Sequence, residues 1–214
     1  MLGVTFGNKH SLHDMGLWLM KYPDITPPVP KIKTVDVPGS DGALDLSRVL
    51  TGSMTYNRRT ITMEFAIIKP RWMWPEIHSS VMDALHGMEM DIILDDDPEY
   101  SYTGTVSVSG YDPQKVTSAV TIRADVEPYK TRISVTRRSF SVSGSLETTI
   151  TGGKKPVVPI ITASSAMQMT FGGTTYTLAS GENTLPGVVL REGGNALTFT
   201  GSGSVTLEYR EGRF

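Results

Sequence analysis

Between positions 60 and 67 the chain alternates strictly, with Ile61, Met63, Phe65 and Ile67 on one parity and Thr60, Thr62, Glu64 and Ala66 on the other. A period of two over this length predicts a strand with one buried face. Residues 17–20, Leu-Trp-Leu-Met, are continuously apolar and predict a short strand covered on both faces, whether by its own domain or by a partner. Further strands are expected at 91–94, at 105–109, and where Val116, Ser118, Val120, Ile122, Ala124 and Val126 place mainly apolar residues on one parity. Residues 110–113, Gly-Tyr-Asp-Pro, read as the turn between the last two.

Only one stretch changes to a helical period. Ile77, Val81, Leu85 and Met88 recur at helical spacing and Ala84 widens the stripe. Pro75 is expected at the first helical position, Glu76 faces the positive end of the dipole, and Gly87 supplies a left-handed stop. One helix packing on a sheet is the predicted core of the first part of the chain.

From about residue 21 to 53 neither period holds. Pro23, Pro27, Pro28 and Pro30 fix φ and remove N–H donors, which favours a polyproline-like or edge conformation. Pro38-Gly39 and Asp41-Gly42 are turn dipeptides in which glycine supplies a positive φ. Such an arm buries too little apolar surface to order itself. It must lie on something else, either its parent domain or a neighbouring subunit.

Beyond Pro128 the texture becomes short Thr, Ser and Val runs punctuated by Gly144, Gly152-Gly153, Gly172-Gly173, Gly181, Gly193-Gly194, Gly201 and Gly203. Turn signals about every ten residues and no helical stripe predict a small all-β sandwich, with strands at 169–171, 175–178, 196–200 and 205–209. The Gly-Gly pairs have different flanks, so no internal repeat is assigned. A length of 214 residues suits two modest domains, 1–130 and 131–214, parted at Glu127-Pro128-Tyr129-Lys130.

A net charge of −2 leaves no basic field to recruit nucleic acid, and the pairs Arg58-Arg59, Arg137-Arg138 and Lys154-Lys155 read as isolated solvated faces or interface contacts. The absence of cysteine removes disulfide and thiolate chemistry, which is compatible with assembly in a reducing cytoplasm. The first residues read as a strand, not a secretion signal, and no run reaches the roughly 18 apolar residues of a membrane span, so a soluble protein is expected.

Candidate chemistry is thin. Asp95, Asp96, Asp97 and Glu99 lack the alternation of a calcium loop, and neighbours in a strand point to opposite faces, so they read as a charged strand end and turn before Pro98. His10, His13, His78 and His86 lack zinc-ligand spacing. There is no Gly-x-Ser-x-Gly elbow, and Gly144-Ser145 and Gly201-Ser-Gly203 read as turn residues. The glycine-rich stretches open into β segments, not helix N-termini, so no phosphate cradle is expected. Trp18, Trp72 and Trp74 read as core or interface packing. The expectation is therefore no catalysis, no metal and no cofactor. The competing function is a carbohydrate-binding sandwich, for which the strand region offers Phe171, Tyr176, Phe199 and Tyr209, several of them buried by alternation.

Val37-Pro38-Gly39-Ser40-Asp41-Gly42-Ala43-Leu44-Asp45-Leu46, followed by Thr51-Gly52 and Tyr56-Asn57-Arg58-Arg59, resembles the N-terminal domain of siphophage distal tail (Dit) proteins. Leu85-His86-Gly87, Asp95-Asp96-Asp97-Pro98, Tyr100 to Gly104, the hinge at Pro128 and the closing Tyr209-Arg210-Glu211-Gly212-Arg213-Phe214 follow in the same order. The resemblance implies a mainly β protein: an α+β N-terminal domain with one helix on a β-sheet or split barrel, and a C-terminal all-β galectin-like sandwich. It implies a structural virion component at the tail tip of a phage or prophage, assembled in the host bacterial cytoplasm. Its partners would be further copies in a homohexameric ring around a DNA channel, the tail tube protein, the tail-associated spike or lysin, and a receptor-binding protein. Sequence-specific nucleic-acid binding and membrane insertion are not implied. Pro38, Gly39, Asp41, Gly42, Leu44 and Leu46, with Tyr56 and Arg58, are carried over as ring-contact residues, with an intramolecular loop as the plain alternative. Residues 131–214 are few for a full galectin-like sandwich and leave no room for an inserted sugar-binding module.

Overall fold

A computed structural model describes residues 3–39, 41–49, 51–113 and 118–214. The protein is mainly β and divides into two compact units, Met1–Lys130 together with Phe214, and Thr131–Arg213. Among the described residues, no helix is long and apolar enough to cross a membrane.

In the first unit the strands are β1 (Val4–Phe6), β2 (Lys9–His10), β3 (Leu17–Leu19), β4 (Asp24–Ile25), β5 (Thr34–Asp36), β6 (Ala43–Asp45) and β7 (Arg59–Ile67). A single 3-10 turn, Arg71–Met73, then runs into α1 (Trp74–Leu85), followed by β8 (Glu89–Leu94), β9 (Tyr100–Pro113) and β10 (Ser118–Val126). The antiparallel sheet has the order β2-β1-β8-β9-β10-β7-β3, and β4 shares with β3 one edge of β7. The alternation read in the sequence is the packing of β7. Ile61, Met63 and Phe65 are fully buried, and across the ladder Phe65 faces Val120, Met63 faces Ile122 and Ile61 faces Ala124.

Helix α1 closes this core through Trp74, Val81 and Leu85, with Ile77 and Ala84 packed at its margin. Pro75 follows Trp74 and so stands one position inside the helix start, where its missing N–H still removes no helical hydrogen bond. Gly87 takes φ +78 and ends the helix, and Met88, counted in the predicted stripe, lies beyond it in the exposed turn.

One local expectation changes. Residues 110–113 are not a turn but the end of β9, where Tyr111 pairs with Val120 and its ring stacks on His78 at 4.2 Å. A one-residue bulge at Ser109 shifts the register, which lets the glycine-containing stretch stay in the ladder. Within the protomer strand β3 is covered on one face, with Leu17 and Leu19 buried and Trp18 and Met20 exposed, so cover of the second face would have to come from a partner. Val116, placed by pattern at a strand start, lies outside the described residues.

Strand β11 (Lys130–Arg132) stands at the boundary. The second unit then has β12 (Thr136–Gly152), β13 (Ile160–Ala163), β14 (Met167–Phe171), β15 (Thr174–Leu178), β16 (Gly181–Thr184), β17 (Gly193–Tyr209) and β18 (Gly212–Arg213). Strands β12 and β17 pair along their whole length, from Thr136 opposite Tyr209 to Gly152 opposite Gly193. On the other edge of β17, β14 pairs with residues 197–200 and β13 with residues 205–208. Between those two partners lie Gly201 and Gly203, with Gly144 directly opposite Gly201. All three have positive φ, +82, +151 and +136 for Gly144, Gly201 and Gly203. They are therefore bends within strands, not turns between them. The predicted sandwich is one hydrogen-bonded sheet curled on itself, and Leu197, Phe199, Val205 and Leu207 from both sides of the bend enter a single core with Met169, Leu178 and Ile161.

A recurrent turn went unseen in the sequence. In Ala179-Ser-Gly181-Glu-Asn183 the Asn183 side chain accepts the Ala179 N–H at 2.9 Å and donates to the carbonyls of Ala179 and Gly181. In Arg191-Glu-Gly193-Gly-Asn195 the Asn195 side chain makes the same bonds to Arg191 and Gly193, and each asparagine also donates to an isoleucine carbonyl across the sheet, Asn183 to Ile161 at 3.4 Å and Asn195 to Ile150 at 3.1 Å. Each asparagine follows a positive-φ glycine by two residues, and the shared signal is Gly-x-Asn, not the Gly-Gly pair.

Candidate assembly surface

The arm is an antiparallel ribbon. At its root Lys31 N–H donates to the Thr55 carbonyl and Asn57 N–H to the Val29 carbonyl, both at 2.8 Å. Pro30 lies opposite Tyr56 between these bonds, at a position that requires no donor, so proline is tolerated in the ladder. Further out, Leu46 N–H bonds the Lys33 carbonyl, and β5 and β6 pair as Thr34 with Asp45, Val35 with Leu44 and Asp36 with Ala43. Gly39 and Gly42, at φ +83 and +76, turn the chain at the tip. The Ser47 hydroxyl accepts from the Lys33 N–H at 2.8 Å. Hydrogen bonds from Ser47, through its side chain first and its backbone N–H second, hold the Asp45 carboxyl below the usual carboxylate range.

This hairpin is two-faced. The cross-strand pair Val35 and Leu44 lies on one side, with Val37 and Leu46 in the same alternation, while Thr34, Asp36 and Asp45 lie on the other. Every described residue from 29 to 45 is exposed, Val35 at 42% and Leu44 at 56%. An isolated two-stranded hairpin is at best marginal in water, and here its apolar face has no cover within the protomer.

Six of the eight residues carried over from the sequence, Pro38, Gly39, Asp41, Gly42, Leu44 and Leu46, come together on this hairpin. The other two sit at its root. Tyr56 packs edge-on against Tyr129 and Phe214, with ring centroids 6.0 and 4.8 Å away, and Arg58 Nε lies 3.6 Å from Asp125. Arg59, expected with Arg58 on a solvated face or at an interface, is instead buried within the first unit. It is only 6% exposed, its guanidinium lies 5.0 Å from the centre of the Tyr102 ring, and Nε and Nη2 have no hydrogen-bond partner. Burial lowers its pKa. Parity was the available signal, because Arg59 shares the inward face with Ile61 and Met63.

The acidic run and the histidines meet at one pair, and the other members are engaged by different neighbours. His10 Nε2 lies 3.2 Å from both Asp95 oxygens, and its Nδ1 accepts the N–H groups of Leu12 and His13. Asp97 pairs with Lys130 at 2.6 Å. His86 Nδ1 accepts the Val108 N–H at 3.2 Å. Among the described residues, no three His, Asp or Glu side chains are placed to share a metal ion. Of the three tryptophans expected in a core or an interface, Trp74 is in the core, and Trp72 and Trp18 are exposed in the protomer. In the second unit Phe199 and Tyr209 are buried, and Phe140, Phe171 and Tyr176 are half-buried against the core.

The geometry defines a two-unit β protein with an uncovered ribbon. No protein-family model matches the sequence, and no curated protein matches it either. Among solved structures the chain has the fold of the Dit protein (gp 19.1) of SPP1, with a TM-score of 0.73 over 100% of both chains at 12% sequence identity. That protein is described as a paradigm of the hub adsorption apparatus in phages infecting Gram-positive bacteria.

Proposed function

We propose that this chain is a distal tail component, a structural hub of a phage or prophage baseplate. Copies close into a homohexameric ring around a channel for DNA, between the tail tube and the spike or lysin at the tip, and a receptor-binding protein attaches to the assembly. The likeness to the SPP1 hub protein along the entire chain carries this reading. The hairpin supports it independently. An amphipathic two-stranded element with both faces in solvent is a poor end state for a lone protomer and a ready contact for a second copy. Head-to-tail contacts of this kind close as a ring when the rotation between copies permits. A conduit needs weak adhesion to its cargo, and a net charge of −2 suits that role.

The test is the mass of the full chain in solution by native mass spectrometry, with negative-stain images of the same sample. Six protomers and a ring with a central hole are expected. A single protomer at tens of micromolar concentration would defeat the reading. The carbohydrate-binding alternative is not adopted, because of the aromatics it requires Phe199 and Tyr209 are buried and Phe171 and Tyr176 are half-buried against the core.

A further inference from the structure

The curled sheet of the second unit has edges of very different length. Strands β15 and β16, at two of its margins, have 5 and 4 residues. Strand β12 has 17 and, among the described residues, pairs with β17 alone. In an antiparallel pair every second residue turns its N–H and C=O away from the partner, so β12 carries a row of unmet backbone groups along its outer side. That side is open in the chain. Arg137, Arg138 and Ser139 are exposed in succession, and so are Ser143, Gly144 and Ser145. Only at its far end does β12 gain another neighbour, where Gly152 bridges to Glu192.

Natural sheets blunt such edges with proline, with lysine or with a covering segment. Between Arg138 and Glu147 β12 has no charge and no proline. The core beneath this stretch is unfinished. Phe140 and Leu146, on the inward parity with Val142, are half-buried against the core, whereas Val142 is enclosed by it. The outward parity is Ser139, Ser141, Ser143 and Ser145. Unmet backbone groups, an apolar margin on one face and hydroxyls on the other are what a sheet presents where a strand is missing.

Strand β17 shows what β12 accepts. Opposite the same stretch it turns Phe199 and Val205 inward and Thr200, Ser202, Ser204 and Thr206 outward, and Glu208 meets Arg137 at 2.7 Å. Arg138 stands opposite Leu207 and bonds the neutral Tyr209 hydroxyl, so it faces no acid across the ladder.

We propose that the outer edge of β12 receives one extended strand of a second protein by strand addition. That strand alternates apolar and hydroxyl residues, covers Phe140 and Leu146 with its apolar side chains, and carries an acid beside Arg138. The surface belongs to the second unit and depends neither on the arm nor on ring closure.

The probe is a synthetic peptide copying residues 196–209, whose pattern already fits β12 from the other side. Hydrogen exchange of the full chain, read by mass spectrometry at residue resolution, reports its binding. In the dilute chain alternate amides between Arg137 and Thr149 are expected to exchange fast and the intervening ones slowly. Excess peptide is expected to slow the fast set at least about tenfold, and a fully N-methylated peptide to slow none of it. Arg138→Glu should weaken the peptide about fivefold at low salt, while Glu182→Lys on β16 leaves it unchanged. An edge that is already slow in the dilute chain, that stays fast with excess peptide, or that is protected equally by the N-methylated peptide overturns the proposal. Edge amides that become protected when the chain assembles by itself assign the edge to a second copy, and that result also overturns it.

Discussion

Strands β7 and β10 and strands β5 and β6 are both antiparallel pairs in the first unit, yet they differ in what lies over them. Phe65 opposite Val120 is fully buried, whereas Val35 opposite Leu44 stands in water. Backbone pairing is the same in kind, so the ladder does not distinguish a core strand from an arm. Cover does. Burial of one face fixes the register of β7 strongly, because a one-residue slip would turn Ile61, Met63 and Phe65 outward. The hairpin is registered by its glycine turn and by the hydrogen bonds at its root, and its apolar face has no cover within the protomer.

The comparison breaks first at its covered end. Leu85→Asp places an unpaired carboxylate between α1 and β9, and a loss of several kcal/mol, enough to unfold or precipitate the first unit, is expected. A variant as soluble and heat-resistant as the parent on a thermal melt refutes that packing. Next comes Asn195→Ala in the second unit. It orphans the Arg191 N–H and several carbonyls and should cost about 2–3 kcal/mol in denaturant titration, while Asn183→Ala, at a less buried copy of the same turn, should cost less.

Arg59→Met carries the opposite sign. Removing a buried guanidinium with unsatisfied nitrogens should raise stability by about 1 kcal/mol, partly offset by loss of the contact with Tyr102. A marked destabilisation would show that Arg59 has a favourable role in the free protomer. Leu44→Ser should have the smallest effect on folding. In dilute, dissociated protein its midpoint should match the parent within about 0.5 kcal/mol, while the mass at assembling concentrations falls. Trypsin cleavage at Lys31, Lys33 or Arg48 should be rapid in that dilute sample and slow in the oligomer.

The period of two at 60–67 and the stripe through Ile77, Val81 and Leu85 determined the strand, the helix and which residues face inward, because alternation and helical spacing are local properties of burial. The mainly β character and the turn at Pro38 to Gly42 were legible for the same reason. Glycine was the ambiguous letter. Gly39 and Gly42 turn a hairpin, whereas Gly144, Gly201 and Gly203 bend a continuous ribbon, and a positive φ alone does not say whether the partner strand continues alongside. Arg59 beside Arg58 shows the same limit for charge, since only the packed sheet decides that one guanidinium is buried and its neighbour is free to meet Asp125. The exposure of Trp72, adjacent to the helix yet outside the core, was likewise decided by tertiary structure. A side chain's fate there depends on what the rest of the chain brings over it, which is a long-range fact that no local pattern encodes.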